Sequence, residues 1–202
     1  MTIFERTIRR QGEAILNLLL TVDQSQFDLA VKALGYSKII FTLGVGKSKP
    51  IAEKIADTFT SIGSPALCIR TEQLLHGSLS LLFLERSCLL IVSKSGETNE
   101  IINVISALEE NPTPVKILIT SRADSTLAKN SDILLLYDGE ECCGTNFIPT
   151  TSTTLSLVIG DALAMTLMKK NALTLEQFAQ THPGGSLGRV VRDSLGKIEF
   201  SQ

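Results

Sequence analysis

Long hydrophobic runs are missing from this sequence. Apolar stretches such as Ile133 to Leu136 are far too short to cross a bilayer. Met1 to Gln11 carries polar and charged side chains at short intervals, so no apolar region of the signal-peptide kind is present. An excess of charge is missing too. The formal net charge is -2, which gives no broad basic surface and argues against nucleic acid as a partner. The four cysteines, Cys68, Cys88, Cys142 and Cys143, show no C-x-x-C spacing. They read as reduced thiols rather than a metal site, with Cys68 and Cys88 buried in apolar runs. There is no repeat of solenoid length and no low-complexity tract. The chain reads as a cytoplasmic protein, with neither membrane nor nucleic acid among its partners.

What is present is an ordinary globular balance. Of 202 residues, 44% are hydrophobic and 20% charged, enough to bury one core without disulfides or a structural metal. Ile3, Ile8, Ile15, Leu18 and Leu19 recur at helical spacing, and a second helix is expected over Phe27 to Leu34. Strands are expected at Lys38 to Leu43, Ala66 to Ile69, Ser87 to Val92, Val115 to Thr120 and Asp132 to Leu136. Helices are expected at Pro50 to Ile62, Glu100 to Glu109, Ser125 to Lys129 and Thr153 to Met168. Asn111 to Pro114 reads as a loop. About five strands, apolar on both faces and alternating with helices, predict an α/β fold: a parallel sheet covered on both sides.

In such a sheet, ligands bind outside the carboxyl ends of the strands. Two of those ends carry unusual turns. In Gly44-Val45-Gly46-Lys47-Ser48-Lys49-Pro50, two glycines allow a tight turn, and Pro50 fits the first turn of a helix. Backbone N–H groups, Ser48 and a cation then meet at a helix N-terminus, which favours an anion. It is neither of two familiar motifs. A Walker A loop needs glycine where Phe41 stands, and a dinucleotide fingerprint needs one at Lys49. The second turn is Ser93-Lys94-Ser95-Gly96-Glu97-Thr98. One hydroxyl suffices to cap a helix. Three within six residues suit a phosphate monoester.

Only two histidines exist, His76 and His182, both in glycine-containing loop segments. Together with the two turns, these segments resemble the sugar isomerase (SIS) domain, and within it the arabinose-5-phosphate isomerase family. The matching stretches are Gly44 to Ser48, His76-Gly77, Ser93 to Glu97, Pro149 to Thr154, Gly160 to Ala164 and His182 to Arg189. The last of these, His182-Pro183-Gly184-Gly185, and the Thr/Ser-rich stretch before Gly160 are the most specific.

The resemblance implies a three-layer sandwich with a five-stranded parallel sheet and a homotetramer with active sites shared between subunits. Residues 1–37 would form N-terminal helices packing on a SIS domain of residues 38–202. Carried over by motif, the catalytic set is Lys47, Glu100, Glu141 and His182. His76 would line the site, and Ser48, Ser93, Lys94, Ser95 and Thr98 would bind the substrate phosphate. Many relatives continue into paired CBS modules, whereas this sequence ends at Gln202, so a form lacking them is expected. Relatives often carry histidine where Arg70 stands here, so no metal ligands are assigned.

Aldose–ketose isomerisation needs a base, a group that moves protons between oxygens, and stabilisation of an enediolate. It needs no cofactor. A carboxylate raised toward neutral pKa suits the base, and lysine suits the developing negative oxygen. Glu100 falls in the first turn of a helix, where the dipole stabilises its charge and weakens it as a base. Glu141, after Asp138-Gly139-Glu140, reads as part of a mobile loop and is the favoured base. The expected activity is interconversion of arabinose 5-phosphate and ribulose 5-phosphate, supplying Kdo for lipopolysaccharide or capsule. Two rivals stand beside it: an isomerase for a hexulose or heptose phosphate, and a non-catalytic sugar-phosphate sensor. Sensors usually append a helix-turn-helix domain, for which the residues before the first strand are too few and too weakly basic.

Overall fold

The computed structural model describes residues 1–108, 114–143, 147–174, 176–178 and 182. Residues 111–113 of the expected loop lie outside them, as do residues 183–189 of the last family stretch.

Five strands form one parallel sheet: β1 (Ile39–Gly44), β2 (Ala66–Cys68), β3 (Ser87–Val92), β4 (Val115–Thr120) and β5 (Ile133–Leu136). Their order is β2-β1-β3-β4-β5. The strands are nearly continuous apolar runs because both faces are covered. Ile40, Leu90, Ile117 and Leu135 point into one core, while Phe41, Leu89, Ile91 and Leu118 point into the other. Every residue of β3, the central strand, is buried.

Helices α1 (Ile3–Thr21), α2 (Gln24–Tyr36), α3 (Ser48–Ser61) and α7 (Thr151–Lys170) cover the first face. The second is covered by α4 (Thr71–Leu75), a 3-10 helix (Ser78–Phe83), α5 (Asn99–Ala107) and α6 (Thr126–Lys129). This is the expected three-layer sandwich. The N-terminal helices are part of it, since Leu18, Ala30, Val31 and Leu34 share a core with β1 and α7. Helix α7 is long and apolar enough to span a membrane by composition alone. Half of its most apolar window is buried within the fold, as expected of a core helix. Of the thiols, Cys88 is buried as expected and Cys68 is only partly so.

The chain runs from β1 outward to β2, then returns to place β3 on the other side of β1. Strand order therefore reverses between β1 and β3, and a crevice opens where successive helices leave on opposite faces. Both unusual turns follow these two strands.

A candidate phosphate site at the strand-order switch

The turn after β1 is held open by small residues. A Cβ on Gly44 would lie 2.6 Å from the Ser48 carbonyl oxygen, so only glycine lets the start of α3 fold back this closely. Lys47 is exposed at the N-cap position of α3, and Ser48 is half-buried beside it. The turn after β3 is tighter. Gly96 has φ +63°, and a Cβ there would lie 2.0 Å from Ser125 Oγ. The hydroxyls are pre-arranged around it: Ser93 and Thr98 share a hydrogen bond of 2.9 Å, and Ser93 Oγ accepts from the Gly96 N–H at 3.2 Å. Ser95 Oγ accepts from the Glu97 N–H at 3.2 Å.

The two turns face one cavity of about 250 Å³. Lys47, Ser48, Ser93, Lys94, Ser95 and Thr98 line it, together with Ser152, Thr153 and Ser156 from the first turns of α7 and Tyr137 just past β5. Three helix N-termini, several hydroxyls and two ammonium groups suit an anion with three or more acceptor oxygens. The α7 hydroxyls and Tyr137 were not singled out as site residues in the sequence. The Thr/Ser-rich stretch at a helix start was the available signal for the former.

Glu141 lies at the edge of this site, fully buried. Its Oε1 is 2.8 Å from Lys94 Nζ. Its Oε2 accepts from the Thr150 and Ser152 N–H groups at 2.8 and 3.2 Å, and from the Thr150 hydroxyl at 3.1 Å. The carboxylate thus caps α7, a helix whose N-cap residue Thr150 makes no side-chain cap of its own. Burial raises the Glu141 carboxyl, but the Lys94 ammonium, then the Ser152 side chain and the Thr150 and Ser152 N–H groups, outweigh it and hold the pKa down at about 2. The sequence reading favoured Glu141 as the less stabilised carboxylate on a mobile loop. Its surroundings reverse that premise: Glu141 is the held one, and Glu100 stands exposed in the first turn of α5.

A pH dependence follows. Glu141 has a folded pKa below its ordinary 4.5, so it contributes stability that is fully present above 4.5 and lost as pH falls toward 2. Glu141→Gln should flatten that part of the acid unfolding curve, read by thermal denaturation from pH 5 to pH 2. An unchanged curve would mean that the carboxylate is not held in this way.

Four expected site residues do not line this cavity: Glu141, which reaches it only through Lys94, and Glu100, His76 and His182. His76, exposed at the end of α4, lines a separate cavity with Arg70, Glu72, Gln73 and Ser78. His182 is stacked on Phe178 with ring centroids 3.9 Å apart, and its Nδ1 is 2.9 Å from the Phe178 carbonyl oxygen. One chain therefore assembles the phosphate cradle and Lys47, and leaves Glu100, His76 and His182 outside it.

The SIS-domain family model matches residues 34–166. Arabinose 5-phosphate isomerase KpsF of Escherichia coli O6:H1 is 37% identical over 191 residues, covering 94% of this chain and 58% of its own length. Arabinose 5-phosphate isomerase KdsD of Yersinia pestis is 39% identical over 183 residues, covering 90% and 55% respectively. The chain thus spans less than two thirds of these curated relatives. A solved structure, Escherichia coli CFT073 c3406 in complex with arabinose 5-phosphate, superposes with a TM-score of 0.82 at 28% identity, covering 89% of this chain and 95% of that one.

Proposed function

Since this chain belongs to the SIS-domain family, we propose that it interconverts D-arabinose 5-phosphate and D-ribulose 5-phosphate through an enediol. The observation that carries this reading is the single cavity in which both turns and α7 converge on a phosphate-sized space. The neighbour bound to arabinose 5-phosphate and the isomerase relatives support the choice of substrate.

The phosphate binds in both ground and transition states and orients the reacting carbons. A base removes the proton from C2 of the open-chain aldose while O1 gains one, giving the enediol. Return of a proton to C1 and loss of one from O2 give the ketose. Lys47, exposed at the rim, stabilises the developing oxyanion, and His182 moves protons between oxygens. Glu141 takes the C2 proton once its ammonium partner is drawn away. Lys94 lines the phosphate cradle while pairing with Glu141, so a phosphate dianion competes for it. Loss of that partner lets burial raise the carboxyl toward a useful base. The test is conversion of arabinose 5-phosphate by the pure protein; recovery of unchanged aldose would sink the reading.

The working form is a cytoplasmic homotetramer. Ile8, Leu16, Leu19 and Leu20 of α1 are 59–85% exposed, and an apolar groove of about 370 Å³ runs between α1, α2 and α7. A second copy covering this face would bury it, and subunit contact would bring Glu100, His76 or His182 to a neighbour's cradle. Sedimentation should read four chains, and a fully active monomer would exclude shared sites. The product would feed Kdo for lipopolysaccharide or capsule, as the resemblance implies.

A further inference from the structure

Tyr137 follows β5, with its N–H donating to the Thr120 carbonyl at 3.1 Å. Its ring packs in the core shared by β1, α3 and α7, and only 3% of the residue is exposed. Its hydroxyl is the one buried side-chain oxygen or nitrogen among the described residues with no hydrogen-bond partner. The Ser156 hydroxyl, one turn into α7, donates to the Ser152 carbonyl at 2.9 Å; it lies near the phenol and lowers its pKa, but the pair does not reach hydrogen-bond geometry. A buried hydroxyl left unpaired has lost its water without a replacement partner, so such a group calls for a reason. Phenylalanine would fill the same space without that cost.

The reason lies in the position. Tyr137 lines the cavity formed by the two turns and α7. Around it the Ser93 and Thr98 hydroxyls are paired with each other, Ser95 Oγ with the Glu97 N–H, and Lys94 with Glu141. Burial pushes the phenol up to about 12, with Ser156 pulling the other way and the Glu141 charge adding to the rise. The group is thus a neutral donor across the physiological range, and a phosphate monoester dianion offers acceptors only.

We propose that Tyr137 is a substrate-binding residue whose hydroxyl donates a hydrogen bond to the phosphate group at the floor of the cradle. It deepens the sugar-phosphate reading and rests on it for the natural ligand, though not for phosphate itself. Because the contact exists in ground and transition states alike, it sets KM rather than kcat.

The test is Tyr137→Phe, measured three ways beside the unaltered protein: calorimetric titration with inorganic phosphate, steady-state kinetics with arabinose 5-phosphate, and thermal midpoint without ligand. A hydrogen bond to a charged group predicts phosphate binding weakened about 10-fold or more. KM should rise to match, with kcat changed less than about threefold. The midpoint without ligand should hold or rise, because an unpaired buried hydroxyl is removed. A role within the fold alone would lower that midpoint and leave phosphate affinity intact, which overturns the proposal. If the unaltered protein binds phosphate but does not isomerise arabinose 5-phosphate, and Tyr137→Phe still weakens phosphate binding, the proposal stands and the substrate assignment falls. If the unaltered protein binds no phosphate, both fall.

Discussion

Glu141→Gln should lower kcat by about 10²–10⁴-fold, the usual contribution of a positioned general base, and should not raise KM. The substitution is nearly isosteric. The amide oxygen can still accept from the Thr150 and Ser152 N–H groups that hold Oε2 in the native site, so α7 keeps its cap. What is lost is the carboxylate proposed to take the C2 proton. What is released is Lys94, whose ammonium is 2.8 Å from Glu141 Oε1 and becomes available to the substrate phosphate. KM should therefore stay level or fall. Exchange of the C2 proton with deuterated solvent should slow in step with turnover. If Glu141→Gln turns over normally and Glu100→Gln does not, Glu100 is the base, reached across a subunit boundary from its exposed place on α5.

The second large effect is expected at the other end of the same pair. Lys94→Met removes the ammonium and keeps most of the chain's bulk. Breaking a buried ion pair from one side leaves the remaining charge uncompensated, typically at about 3–5 kcal/mol. Lys94 is 34% exposed against none for Glu141, and Glu141 keeps its α7 donors, so about 1–3 kcal/mol is expected at pH 7. Without its cation, Glu141 titrates higher than about 2. The deficit should therefore shrink as pH falls and the carboxyl is protonated in both proteins. Adding Glu141→Gln to Lys94→Met should recover much of the loss, since no buried charge is then left alone. KM should rise about tenfold from the lost phosphate contact, with a smaller change in kcat. A Lys94→Met protein as stable as the native one at pH 7 would show that the pair does not hold the carboxylate.

The sheet was legible because a strand buried on both faces must be an apolar run, and Cys88 to Val92 is one without interruption. The two turns were legible because glycine is needed where Ser48 O and Ser125 Oγ crowd the backbone, and that need shows as letters in the sequence. The segment between β2 and β3 was not read as helical. Thr71–Leu75 and Ser78–Phe83 are each under two turns of α-helix in length, too short for a period to declare itself. The buried setting of Glu141 was hidden for a different reason. Asp138-Gly139-Glu140 looks like a solvated loop, and the partner that buries the next carboxylate is 47 positions away. No local pattern announces a tertiary ion pair. Tyr137 follows the run Leu134-Leu135-Leu136 and nothing in the sequence singled it out; only the packed structure leaves its hydroxyl unpaired. Glu100, His76 and His182 were named by motif, and among the described residues none of them lines the cradle cavity.

The account stands most directly on the fate of arabinose 5-phosphate. The pure protein, in EDTA and deuterated buffer, is incubated with it, and the sugars are followed by carbon-13 NMR. The account predicts ribulose 5-phosphate appearing to a fixed ratio, reached equally from the ketose, with deuterium entering at C2 of the recovered aldose and C1 of the ketose. Failure to interconvert the two in either direction would contradict it, as would full loss of activity in EDTA restored by one metal.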